Sequence, residues 1–147
     1  MNEMESRKKI VLIIPSDIVA RGFESILSGQ GDFLVLDNLV DYSKPREVRL
    51  RILDPDVVIV DPSVFDFRSR KDGRLLISEQ CDATVLALEG PAVTEDILRQ
   101  YDGAVSLYDD AAGIVRKIHS AMDSRLPEPS GEGNELSSRE KEILVCV

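Results

Sequence analysis

Apolar positions along the chain fall into short unbroken runs, separated by stretches with helical spacing. KKIVLIIP (8–15) is one such run, closed by Pro15, and predicts a buried strand. Asp17 is a suitable N-cap, and Val19, Phe23, Ile26 and Leu27 then recur at helical spacing until GQG (29–31) breaks the pattern. FLVLD (33–37) predicts a second strand. EVRLRIL after Pro45 predicts a short helix with Val48, Ile52 and Leu53 on one side. VVIV (57–60) is a third strand, driven straight into Asp61 and Pro62. LLIS (75–78) belongs to a helix after the loop FDFRSRKDG. TVLAL (84–88) is a fourth strand, and TEDILRQY, opened by Thr94, the next helix. AVSLY (104–108) predicts a fifth strand. AAGIVRKIHSAM (111–122) closes the series with Ile114, Val115, Ile118 and Met122 as its apolar stripe.

Five strands thus alternate with five helices. Strands that are apolar throughout, rather than at every second residue, are buried on both faces. The fold class is therefore α/β, a doubly wound five-stranded parallel sheet of flavodoxin-like topology, with the third strand central. Residues 1–125 make one domain. LPEPSGEGNE (126–135) lacks periodicity and reads as a linker. LSSREKEILVCV (136–147) opens a new helix, with Ser137 and Glu140 as a capping box and Ile143, Leu144 and Val147 as an apolar face. A lone helix of this size cannot bury that face, so it reads as the first element of a further domain.

Composition narrows the function classes. The 147 residues carry 18 basic and 27 acidic side chains, a net charge of −9, which repels phosphate backbones. No apolar run approaches the roughly 20 residues of a membrane helix, and the polar start MNEMESRKK has no signal-peptide core. A cytoplasmic protein is expected. Cys81 and Cys146 sit in apolar contexts and read as buried thiols. With His119 as the only histidine there is no Cys/His metal spacing, and His119 itself reads as a solvent-edge residue.

In an open parallel sheet, reactive groups collect at the carboxyl ends of the strands. Those ends place Ser16 and Asp17, Asp61, Ala87 and Leu88, and Asp109 around one pocket. Asp61 is either a presented acid or a turn cap before Pro62, and the spacing alone favours the cap. GQG lacks the third glycine of a dinucleotide fingerprint, and no GxxxxGK[ST] exists. A flavodoxin-like ligand-binding protein stays open as an alternative, which an absorbance spectrum would reveal. Arg68, Arg70, Lys71 and Arg74 read as a solvated surface.

With its five strand–helix units, Asp61, Gly103-Ala104 before the fifth strand, the Pro/Gly linker and LSSREKEIL, the chain resembles response regulators of the LuxR/NarL type. The receiver-like part covers 8–124, and 136–147 is similar to the opening of the LuxR-type helix-turn-helix. The resemblance implies a phosphoryl acceptor at Asp61. It also implies an acid pair holding Mg²⁺, a Thr or Ser after the fourth strand and a Lys after the fifth. Here those positions fall on Pro15 and Ser16 with Asp17 beside them, on Ala87 or Leu88, and on Asp109. Only the acceptor is kept. A phosphoryl group brings about −2 charge and needs cationic company, and Mg²⁺ needs oxygen ligands. The expectation is a degenerate receiver with no bound cofactor, metal or catalytic residue, and a non-enzymatic role. The resemblance further implies DNA binding through a following domain, homodimerisation through the fourth helix, fifth strand and fifth helix or through the first and fifth helices, and a histidine kinase partner. Tyr108 matches an aromatic that reports switching in such domains. The alternative is a working phospho-receiver accepting phosphate on Asp61.

Overall fold

The computed structural model describes residues 7–65, 72–91 and 93–125. The linker 126–135, the 136–147 segment, Cys146 and the basic residues Arg68, Arg70 and Lys71 lie outside them.

The elements run β1 (Lys8–Ile13), α1 (Asp17–Ser28), β2 (Phe33–Asn38), α2 (Lys44–Leu53), β3 (Val57–Val60), a 3-10 turn (Pro62–Val64), α3 (Gly73–Ser78), β4 (Thr84–Leu88), α4 (Glu95–Leu98), β5 (Gly103–Val105) and α5 (Ala111–Arg125). All strand pairs are parallel, and the sheet order is β2-β1-β3-β4-β5. β3 is central, as its uniform Val/Ile content requires.

The unbroken apolar strands feed two cores. Ile10, Leu12 and Ile14 face one layer with Phe23 and Leu27 of α1 and Ile114 and Ile118 of α5. Val11 and Ile13 face the other, with Leu50 of α2, Ile77 of α3, and Ile97 and Tyr101 at α4. Successive side chains point to opposite faces, so a strand covered on both sides has no polar position to spare. Removing one such side chain, as in Ile→Ala, costs about 2–5 kcal/mol.

Four details differ from the sequence reading. The cap of α1 is Ser16, whose Oγ accepts the Val19 N–H at 3.3 Å; Asp17 becomes the first helical residue. In α2 the buried side chain is Leu50, while Val48 and Ile52 face solvent. Leu50 and the partly buried Leu53 turn to the core, and exposed contacts flank the helix, Arg49 to Asp37 at 3.2 Å and Arg51 to Gln80 of the α3 end at 2.6 Å. α4 is a single turn, because Gln100 and Tyr101 close back onto Ile97 and Leu98 in tighter bonds. β5 stops at Val105, for reasons that lie in its following turn.

Candidate functional site

The carboxyl edge of the sheet brings the expected residues to one side of the molecule, but each is engaged locally. At the end of β1, Ile14 is buried and Pro15 begins an exposed turn. Asn38, at the end of β2, clamps Ile14 from the side. Its Oδ1 accepts the Ile14 N–H and its Nδ2 donates to the Ile14 carbonyl, both at 3.0 Å. Asp17 is exposed and turned along its own helix, 2.8 Å from Arg21 Nε.

Asp61 leaves β3 with its backbone still in register, its N–H donating to the Ile13 carbonyl at 3.0 Å. Its Oδ1 accepts the Ser63 N–H at 3.0 Å and caps the 3-10 turn over the buried Pro62. Such a turn is what an Asp-Pro-Ser sequence builds by itself. Among the described residues Asp61 forms no ion pair. At the end of β4, Ala87 and Leu88 are buried alkyl side chains and offer no hydroxyl.

The β5 end corrects the placement of Asp109. The strand is over by Ser106, where side chains capture the backbone. Ser106 N–H donates to Asp109 Oδ2 at 2.9 Å, Tyr108 N–H donates to Ser106 Oγ at 3.1 Å, and Asp110 Oδ1 accepts Gly113 N–H at 2.7 Å at the start of α5. Asp109 is therefore a turn residue rather than the strand-end position, which belongs to Ser106. Nor does it carry free negative charge, because Lys117 Nζ lies 2.8 Å from the same Oδ2. That lysine's hydrogen bond, then the Ser106 N–H, holds the Asp109 carboxyl below the usual carboxylate range. Sequence reasoning missed Lys117; the signal was an acid and a lysine eight residues apart across the first turns of a helix. Tyr108 is fully exposed.

This donor set does not fit the divalent cation that the fold family implies. Among the described residues no three His, Cys, Asp or Glu side chains converge on a metal-sized site. The two oxygen donors nearest the pocket, Asp17 and Asp61, are committed to Arg21 and to the Ser63 N–H.

The remaining candidates are structural. Cys81 is buried, and burial pushes its thiol up to about 11. His119 is half-exposed, its ring 5.3 Å from Phe33 and its Nε2 3.7 Å from Asp32. Arg74 corrects the solvated reading: it is largely buried, with Nη2 3.0 Å from Asp102 Oδ2, which also accepts the Val85 N–H at 2.8 Å. Among the described residues the Tyr101 hydroxyl, packed by Phe65 and Gly73, has no hydrogen-bond partner, and burial pushes it up to about 12. No helix among the described residues is long and apolar enough to cross a membrane.

No protein-family model and no curated protein matches the sequence. Solved structures do match the fold. The response regulator domain of Thermotoga maritima CheB shares 19% identity over 80% of this chain and 97% of its own, with a TM-score of 0.61. The signal receiver domain of NarL from Mycobacterium tuberculosis shares 18% over 82% and 99%, at 0.63. A LuxR-family two-component response regulator from Aurantimonas shares 20% over 82% and 88%, at 0.64. At these identities the likeness is one of architecture, and with the β2-β1-β3-β4-β5 order it establishes that this chain has the receiver fold.

Proposed function

We propose that residues 1–125 are the regulatory domain of a bacterial transcriptional regulator of the response-regulator type, and that this domain is not switched by conventional aspartyl phosphorylation. Residues 136–147 begin the DNA-binding domain through which the protein would reach its promoter, and the regulator acts as a homodimer. The receiver fold supports the signalling class. The observation that carries the loss of phosphorylation is the state of the pocket acids. Asp61 caps its own turn, Asp17 is paired with Arg21, and Lys117 is paired with Asp109. A phosphoryl group on Asp61 would add about −2 charge at a carboxylate that forms no ion pair among the described residues, and the β4 end offers only the alkyl side chains of Ala87 and Leu88.

The test is incubation of the full chain with radiolabelled acetyl phosphate and Mg²⁺. We expect no stoichiometric label. Labelling that Asp61→Asn removes would establish the second reading, a working phospho-receiver served by a histidine kinase. The place of Asp61 at the end of the central strand, half-buried but reachable, is what favours that reading.

A further inference from the structure

Among the described residues two side-chain-bearing positions hold a left-handed backbone, Asp54 with φ 47° and Val40 with φ 55°. Asp54 ends α2, where a short polar side chain tolerates that conformation. Val40 is β-branched, and for such a side chain a positive φ is a strained outlier. It stands at the centre of a three-residue turn, in which the Asp41 N–H donates to the Leu39 carbonyl at 2.6 Å. A turn of this form with positive φ is rare and strained in its own right.

Strain of this kind persists only where the surroundings over-determine it. Two anchors do so here, and only Val40 and Asp41 separate them. On the β2 side, Leu39 is fully buried and its N–H donates to the Leu12 carbonyl at 2.8 Å, next to the Asn38 clamp on Ile14. On the α2 side, Tyr42 crosses to α3. Its hydroxyl donates to the Leu76 carbonyl at 3.0 Å, and its ring centre lies 5.1 Å from that of Phe65. Two residues must join a core side chain at the end of β2 to an aromatic pinned on another helix, and Val40 takes up the turn. The Asp41–Arg46 pair at 3.5 Å is half-exposed and adds little.

We infer that the β2–α2 connection, residues 39–43, is a strap that Tyr42 holds under strain, and that it relaxes when Tyr42 lets go of α3. Tyr42 is the anchor that can yield, because it is half-buried while Leu39 is sealed in the core. Phe65 closes the 3-10 turn that Asp61 opens, its N–H donating to the Pro62 carbonyl at 3.2 Å. One end of the strap therefore rests on the turn that follows the central strand, and a displacement of that turn passes through Tyr42 to the start of α2. In the relaxed strap Val40 returns to negative φ and the Asp41–Leu39 bond opens, while Leu39 stays in place. This inference does not depend on whether Asp61 accepts phosphate.

The experiment uses the full 147-residue chain and two pairs of variants. Val40→Ala and Val40→Gly both remove the branched methyls and differ in the Cβ that makes a positive φ costly. At negative φ alanine is the more stable of the two. At this position the order should reverse, with the unfolding constant in urea about threefold smaller for Val40→Gly. An alanine variant at least as stable as the glycine one would overturn the strain. Tyr42→Phe removes the bond to Leu76 and keeps the ring, and Tyr42→Ala removes both. The Cα and Cβ chemical shifts of Val40 should move from left-handed toward extended values in Tyr42→Phe and further in Tyr42→Ala, while the Leu39 amide keeps its protection from hydrogen exchange. Shifts that stay left-handed in Tyr42→Ala, or in Tyr42→Phe if the alanine variant does not fold, would overturn the strap. So would loss of the Leu39 protection along with the change at Val40, because the whole edge would then be melting rather than one turn relaxing.

Discussion

The two ends of the sheet use their carboxylates differently. At the amino end, acids stitch neighbouring strands together. Asp56, just before β3, accepts the Lys9 N–H of β1 at 2.8 Å, and Asp102, just before β5, accepts the Val85 N–H of β4 while holding Arg74 of α3. At the carboxyl end, Asp17, Asp61, Asp109 and Asp110 serve their own turns and helix starts. The inter-strand tie there is an amide, Asn38. Both sets include partly buried bonds, and the contrast lies in reach: Asp56 and Asp102 join strands far apart in sequence, whereas Asp61, Asp109 and Asp110 bond backbone N–H groups two or three residues away. Carboxylates that join strands thus gather at the amino end, and at the carboxyl end that part falls to Asn38.

Asp102→Ala is the strongest way to break this contrast. It orphans the Val85 N–H and leaves Arg74, whose side chain is 17% exposed, without its partner. A loss of about 2–4 kcal/mol is expected in urea unfolding, the cost of stranding a largely buried charge. A loss no larger than an exposed pair gives, about 0–1 kcal/mol, would remove the distinction between the two ends.

Asn38→Ala ranks next. It frees both the N–H and the carbonyl of buried Ile14, and about 2 kcal/mol should be lost if neither group finds water. Asn38→Asp sharpens the point: the acid can accept from the Ile14 N–H but cannot donate to its carbonyl, so part of the loss should remain at neutral pH. Full stability in the Asp variant would show that the donated bond contributes nothing.

How much of this was legible in the sequence follows from how far each signal reaches. The strands were legible because burial on both faces leaves an unbroken apolar run; VVIV is β3 to the residue. The helix faces were less so. Val48, Ile52 and Leu53 have helical spacing, yet of these only Leu53 packs against the core, beside the fully buried Leu50, because burial of Leu50 sets the rotation of α2 and leaves Val48 and Ile52 outward. The fifth strand was read too long because Leu107 and Tyr108 extend the apolar pattern. Ser106, Asp109 and Asp110 end it through bonds that periodicity does not register. Ser16, Asp17, Asp61, Ala87 and Leu88 lie at the ends of their strands, whereas Asp109 lies in the turn beyond β5. Their partners Arg21, Ser63, Lys117 and Asn38 went unread, as did Asp102, because each pairing depends on a side chain's direction rather than on its spacing. An acid before each of β2, β3 and β5 (Asp32, Asp56, Asp102) was a visible pattern whose meaning needed the register.

Asp109 tests the carboxyl end by pH. Its carboxyl is held below the usual range by Lys117 and the Ser106 N–H. A carboxylate whose folded value lies below its unfolded one stabilises the protein above the unfolded value, about 3.9, and the gain is lost as pH falls through the folded one. Asp109→Asn should therefore be less stable than wild type at pH 7, and the two should converge as pH drops below about 4. A gap that stays constant from pH 7 to pH 3 would mean that the pair with Lys117 contributes no charge-dependent stability.

The smallest effect is expected at the residue that drew attention first. Asparagine can accept the Ser63 N–H through its own Oδ1 as aspartate does, so Asp61→Asn should keep the 3-10 turn. If Asp61 is a turn cap, the substitution should change stability by no more than about 0.5 kcal/mol in equilibrium unfolding. Asp61→Ala, which removes the acceptor of the Ser63 N–H, should cost more, about 0.5–1.5 kcal/mol. An alanine variant as stable as the asparagine one would mean that the turn-cap description of Asp61 is wrong.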